Sequence, residues 1–275
     1  MVRALVSASH PGPAAAVTAV TAILGVGTGL DAWRVALLAM AMLAGQLSIG
    51  WSNDWIDADR DSAVNRADKP IASGRVSRSA VRNAAIIAAA AALPLSIALG
   101  PLAALVNVVG IASGWSYNAL LKRTLASAIP YVITFGTLPL FVTLSSVEPR
   151  PASWWAIATG ALLGLGAHFA NVLPDLDDDA RTGVRGLPHA LGRTASGVLA
   201  FASLALASGF ASIGVLNAGL AVAAVVGAVV NLAIAAIGIR LVSTRPPTRT
   251  LFRLIIASAL IDVLLLTLAG GALFV

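Results

Sequence analysis

Apolar stretches of about 17–25 residues recur along the whole chain, each long enough to cross the roughly 30 Å hydrocarbon layer of a bilayer. They lie near residues 14–30, 35–55, 80–99, 102–120, 127–146, 153–173, 196–216, 218–239 and 253–274. Within lipid every backbone amide and carbonyl must be bonded inside the protein, which leaves helices or closed barrels. These Ala-, Leu-, Val- and Gly-rich segments lack the alternating polar positions of a barrel strand, so helices are expected. With 58% hydrophobic and 11% charged residues and a mean hydropathy of +0.89, the chain is outside the range of a soluble domain. The expected fold is an all-α polytopic membrane protein, one domain over 1–275, with about nine transmembrane helices around a central cavity.

The opening Met-Val-Arg and the apolar run after it have some likeness to a signal peptide, but Pro11 and Pro13 come early and no convincing cleavage site follows, so the run is read as the first span. The absence of cysteine excludes disulfides, thiolate catalysis and zinc–thiolate sites. The net charge of +6 does not point to nucleic acid. On a nine-span layout the N-terminus and the loops after spans two, four, six and eight hold 16 of the 18 Lys and Arg residues, leaving Arg34 and Arg150 on the other face. The positive-inside rule then puts these basic segments in the cytoplasm, with the cell membrane as the expected location.

Acidic residues cluster more tightly. Asp54, Asp57, Asp59, Asp61 and Asp68 form one group, and Asp175, Asp177, Asp178 and Asp179 a second. A displacement of 118 positions carries residues 53–75 onto 171–193 and matches Asn53 to Asn171, Asp57 to Asp175, Asp59 to Asp177 and Asp61 to Asp179. It also matches Pro70 to Pro188, Ala72 to Ala190, Gly74 to Gly192 and Arg75 to Arg193. Both copies run the same way through the membrane, as in a parallel repeat. The expected organisation is a first half over about 1–122, a second over about 123–240 and an extra helix at about 250–275, with both acidic clusters at the cytoplasmic end of one cavity.

Asn53, Asp57 and Asp61 follow an i, i+4, i+8 spacing on one helix face, about 12 Å from end to end. Asn171, Asp175 and Asp179 are expected to form the same row on a facing helix. One ion cannot touch a whole row, but a diphosphate with two bridging ions can lie along it, since Mg²⁺ takes one or two carboxylates with phosphate oxygens and water. Acids at the end of a span mark functional candidates. Asp59, Asp68 and Asp177 are read instead as solvated loop acids.

Taken together, these motifs resemble the UbiA superfamily of intramembrane prenyltransferases. The first family motif, N-D-x-x-D-x-x-x-D, is met by Asn53, Asp54, Asp57 and Asp61, followed by Lys69-Pro-Ile-Ala-Ser-Gly74; the second, D-x-x-x-D-x-x-x-G, is met by Asp175, Asp179 and Gly183. Tyr117, Lys122 and Arg123 in "SYNALLKR" match the element after the fourth helix. Lys69 stands where many members have Arg, and "SASHPGP" lacks the Arg-Pro that many aromatic-acceptor members carry near helix one.

The resemblance implies Mg²⁺-dependent transfer of a prenyl group from an isoprenyl diphosphate to a lipophilic acceptor, an aromatic or quinone precursor first among them. It implies metal binding by Asn53, Asp57, Asp61, Asp175 and Asp179, with Asp54 and Asn171 as supporting ligands or as groups behind the ligands; Asp57, Asp61, Asp175 and Asp179 are the catalytic set. Lys69, Tyr117, Lys122 and Arg123 are implied diphosphate contacts, with Arg66 and Arg185 as further cations. His168, three residues before Asn171, is expected to face the cavity; Asp262 is expected to pair with a rim arginine or be shielded by packing; His10 and His189 are expected at the surface. A terpene cyclase of the same fold is the alternative within the same chemistry, and a cation or metabolite transporter the alternative outside it. A CDP-alcohol phosphotransferase needs a D-G-x-x-A-R segment, which the chain lacks.

Overall fold

The computed structural model describes every residue except 65, 177, 178, 180–182 and 245–248. The described residues are dominated by helices: α1 (Val2–Ala8), α2 (Pro11–Gly27), α3 (Ala32–Ala63), α4 (Arg78–Ile97), α5 (Pro101–Ala119), α6 (Ile129–Leu144), α7 (Trp154–Val172), α8 (Leu187–Asn217), α9 (Ala221–Thr244) and α10 (Arg249–Ala269). Short 3-10 turns lie at Leu121–Arg123, Leu173–Asp175 and Gly270–Leu273. Among the described residues six helical segments are long and apolar enough to cross a bilayer: Ala32–Ala63, Arg78–Ile97, Trp154–Asp175, Leu187–Asn217, Ala221–Thr244 and Arg253–Leu273. Pro11–Gly27 and Ile129–Leu144 are apolar but shorter.

Proline opens several helices where its missing N–H costs nothing, at Pro11, Pro101, Pro130 and Pro188, and Ser77 caps α4 by accepting from the Ala80 amide. Many large apolar side chains point outward, Ile86, Ile87, Val222, Val225, Val229 and Leu260 among them, while alanine, serine and a set of leucines and phenylalanines such as Leu38, Leu204, Phe141 and Phe201 fill the interior. Between helices in lipid the hydrophobic effect gives little drive, so close approach over small residues takes its place. Gly160 and Gly164 of α7 are the clearest case. A Cβ at either would lie 2.3 Å from a carbonyl oxygen of α6, Phe135 O and Tyr131 O respectively.

Neighbours pack in sequence from α2 to α3, through α4 and α5 to α6, α7 and α8, with α9 and α10 against α8; α10 also touches α2, which closes the bundle. The 118-residue displacement carries α2 onto α6, α3 onto the span of α7, and α4 and α5 onto α8 and α9. The matched pair Gly74 and Gly192 share a left-handed backbone, φ 71° and 78°, a conformation that glycine adopts without steric cost. At Gly192 this breaks α8, so its regular membrane segment starts after the kink.

Candidate active site

Helix α3 runs unbroken through Asn53, Asp54, Asp57 and Asp61, so the first row is as expected from its spacing. The second row is not its geometric copy. Helix α7 ends at Val172, and a 3-10 turn over Leu173–Asp175 separates Asn171 from Asp175. Pro174 accounts for the changed hydrogen bonding: it has no amide hydrogen to close an α-helical bond, although Leu173 before it keeps right-handed helical dihedrals, φ −52° and ψ −42°. Asn171 and Asp175 are exposed and Asp179 is half-buried; Asp177 lies outside the described residues.

Asp54, Asp57 and Asp61 are each 2% exposed. Lys122, on the turn after α5, donates to Asp57 Oδ1 at 2.5 Å, and the Arg60 guanidinium reaches Asp57 Oδ2 at 3.1 Å and Asp61 Oδ1 at 3.4 Å. Asp179 lies within electrostatic reach of Arg60, Lys122 and Asp175, which brings the second motif to the cations that pair the first. Burial holds the Asp179 carboxyl above its ordinary value, with Asp175 adding to the rise and the two cations opposing it. Burial likewise draws the Lys122 ammonium below the usual lysine value, against the pull of Asp57.

Lys69, from the segment between α3 and α4, bonds Asp54 Oδ1 at 2.6 Å. Arg66 forks onto Asp68 with two bonds of 2.9 Å, lies within electrostatic reach of Asp61 and Asp175, and holds the Asp68 carboxyl down at about 2. Arg123 and Arg185 are exposed. Asp59, 82% exposed and paired with Arg78, behaves as the solvated loop acid expected of it.

On the membrane side of the aspartates, Tyr117, Tyr131 and His168 form an aromatic group, with centroids 5.2 Å apart for the tyrosines and 5.0 Å from Tyr131 to His168. Tyr117 lies within electrostatic reach of both Asp57 and Asp179, and Asn171 donates to the Tyr131 hydroxyl at 3.1 Å. Ser127 Oγ meets His168 Nε2 at 3.1 Å and accepts from the Leu187 amide at 2.9 Å.

Three expectations can be refined. The His10 side chain is 42% exposed, at the surface as expected, yet it also reaches Asp54 Oδ1 at 3.2 Å, because Gly50 lets the Ser9 carbonyl approach α3. His189 is half-buried and accepts from the Gly186 amide through Nδ1. Asp262 is fully buried, so of its two expected settings the shielding by packing is the one found; it accepts from Asn231 at 2.6 Å, and Ser258 in turn donates to Asn231 Oδ1 at 2.5 Å. Arg60, Asn118 and Tyr131 were not singled out from sequence. Arg60 could have been, since its i+3 spacing from Asp57 brings the two side chains together. Asn118, which bonds Asn53, Ser52 and the Ile49 carbonyl, carries no comparable signal.

The donors fit Mg²⁺ in kind. Carboxylate and amide oxygens are hard ligands, and the ion asks the protein for only one or two carboxylates. Among the described residues no three carboxylate or imidazole groups converge on one point, so each ion would be held by few protein ligands with phosphate oxygens completing its shell.

The UbiA prenyltransferase family model matches residues 14–272. The chain is 32% identical over 197 residues to the bacteriochlorophyll synthase 33 kDa chain of Cereibacter sphaeroides, covering 68% of this chain and 64% of that one. It is 30% identical over 181 residues to digeranylgeranylglyceryl phosphate synthase of Methanopyrus kandleri, covering 65% of each. The chain thus spans just under two thirds of the length of these curated relatives. In fold it is similar to a UbiA homolog from Archaeoglobus fulgidus solved bound to GPP and Mg²⁺, with TM-score 0.74, 14% identity and 98% and 99% of the two chains covered.

Proposed function

The chain belongs to the UbiA prenyltransferase family, and from that premise we propose that this integral membrane protein transfers a prenyl group from an isoprenyl diphosphate to a lipophilic acceptor. The convergence of Asp57, Asp61 and Asp179 on Arg60, with Lys122 acting on Asp57 and Asp179, carries the reading. Asn53, Asp57, Asp61, Asp175 and Asp179 would hold Mg²⁺, with Asn171 in support. When bound, Mg²⁺ supplies positive charge against the departing diphosphate. Lys69, Lys122, Arg66 and Arg123 would draw the diphosphate oxygens, and the Tyr117 hydroxyl would donate to them.

The allylic C–O bond breaks with its electron pair going to the diphosphate, the prenyl carbon bonds to the acceptor, and the acceptor gives up a proton. Fixed cations around the leaving group favour that cleavage most in a site closed to water. An aromatic or quinone precursor is the acceptor proposed first. A chlorin is second, favoured by the similarity to bacteriochlorophyll synthase. The layout of basic loops supports a site opening to the cytoplasm of the cell membrane, and the repeated helix order supports two four-helix halves with an added helix.

The test is turnover in lipid nanodiscs with labelled geranyl, farnesyl and geranylgeranyl diphosphates, an acceptor panel and Mg²⁺ or a chelator. Transfer should need the metal and vanish in D57A and D175A while both remain folded; transfer retained in both variants would sink the model. A hydrocarbon product from donor alone would point to the cyclase, and uptake without product to a transporter.

A further inference from the structure

Asp54 stands apart from the other carboxylates of its row. Asp57 pairs with Arg60 and Lys122, Asp61 pairs with Arg60, and Asp179 lies within electrostatic reach of both cations, whereas the partners of Asp54 are Lys69 and His10, Lys69 acting on Asp61 as well. Both bind one oxygen, Oδ1, at 2.6 and 3.2 Å, and Oδ2 is buried without a partner. Asp61 lies seven residues on, about 10 Å along the helix.

The local backbone is shaped to keep this contact. At Gly50 a Cβ would stand 2.2 Å from the Ser9 carbonyl oxygen, so only glycine lets the α1–α2 junction lie so close to α3. His10 adopts φ 54°, the single non-glycine residue with positive φ among those described, a conformation that costs about 1–3 kcal/mol and persists where its surroundings hold it. Lys69 is anchored as firmly: its amide donates to the Arg66 carbonyl at 3.0 Å, and its carbonyl accepts from the Ser73 hydroxyl at 2.8 Å. An ammonium has three N–H donors. Asp54 takes one and His10 Nε2 lies 3.2 Å away, while the same ammonium is within electrostatic reach of Asp61.

We propose that Asp54 is not a metal ligand but the positioning residue for Lys69: with His10 it holds the ammonium at the end of the aspartate row, where a remaining N–H meets a diphosphate oxygen of the donor. This role rests on the diphosphate reading above. Asp54 thereby acts through Lys69 and contributes to donor affinity, not to metal affinity.

Full-length protein in nanodiscs tests it with geranyl diphosphate as the probe, titrated calorimetrically at several Mg²⁺ concentrations in wild type, D54N, K69A, D54N/K69A and D57N. Loss of one charge-assisted contact should weaken donor binding about tenfold in D54N and K69A. The double variant should bind no more weakly than K69A, and the Mg²⁺ concentration for half-maximal binding should move only in D57N. A D54N protein that raises the Mg²⁺ requirement as D57N does, or losses that multiply in the double variant, would overturn the assignment. Acylation of Lys69 by an amine reagent without donor, followed by mass spectrometry, gives a second readout: the rate should rise several-fold in D54N and in H10A, which removes the other neighbour without touching α3. An unchanged rate in both overturns the contact. Wild-type protein that binds no geranyl diphosphate with Mg²⁺ would instead count against the donor reading, with the acylation rates still deciding the Asp54 contact.

Discussion

Gly164 joins membrane packing to the site more directly than any aspartate variant can. Replacing it with alanine puts a Cβ 2.3 Å from the Tyr131 carbonyl oxygen and 2.8 Å from Phe135 Cβ, so α6 and α7 must part by about 1 Å to reach ordinary contact. Tyr131 is on the moving helix, and its hydroxyl holds Asn171 at 3.1 Å while its ring packs 5.0 Å from His168. Overpacking of this size costs about 1–3 kcal/mol, and each kcal/mol lowers the melting point by roughly 2–4 °C in a chain this long. A misplacement of about 1 Å at reacting groups can cost on the order of 100-fold in rate. The control is G209A, on α8, where a Cβ meets nothing within 4 Å and alanine should add up to about 1 kcal/mol of helix stability. Melting in nanodiscs and Mg²⁺-dependent prenyl transfer should separate the two variants in opposite directions. If G164A matches G209A in both, the close approach of α6 and α7 does not set the site.

Other outcomes follow from single contacts. Removing Arg66 should let Asp68 titrate near 4 instead of about 2, read by carbon NMR of labelled aspartate. The carboxyl is depressed in the folded protein, so the stability from its pair is present above about pH 4 and is lost as pH falls toward 2. Both side chains are well exposed, 41% and 61%, so the melting shift in R66A should be small. D262A leaves one N–H of the Asn231 amide unpaired in the interior, its other contacts being to Ser258, and should destabilise by about 1–3 kcal/mol, with transfer per folded molecule unchanged; lost activity in folded D262A would tie that cluster to the reaction. K122A leaves Asp57 with Arg60 alone and should lower the melting point without metal more than with Mg²⁺ and donor present.

The helical fold, the approximate spans and the first aspartate row were legible because each is written in local periodicity. The displacement that aligned Asn53 with Asn171 also aligned Gly74 with Gly192, whose shared backbone conformation is a tertiary fact visible in sequence as one repeated glycine. The second row differs from its expected form because Pro174, with no amide hydrogen, interrupts the α-helical hydrogen bonding and a 3-10 turn takes its place. The contact of His10 with Asp54 was not legible because it depends on Gly50, distant in sequence and without periodic signal. Asp262 was open to an arginine partner or to shielding by packing; it is shielded, and the Asn231 amide that donates to it is not distinctive in an apolar helix.

Helix α3 has one further implication. Its 32 residues extend about 48 Å, against a hydrocarbon layer of about 30 Å, and the aspartates occupy its final turns. An amphiphile with a charged head and an oily tail rests at that boundary already, tail in the acyl chains and head in water. Drawing a ten-carbon tail into water would cost on the order of 8 kcal/mol at about 0.8 kcal/mol per carbon. A site at this depth can receive such a molecule by sideways diffusion within its own leaflet, so capture becomes a search in two dimensions and the tail need never leave oil.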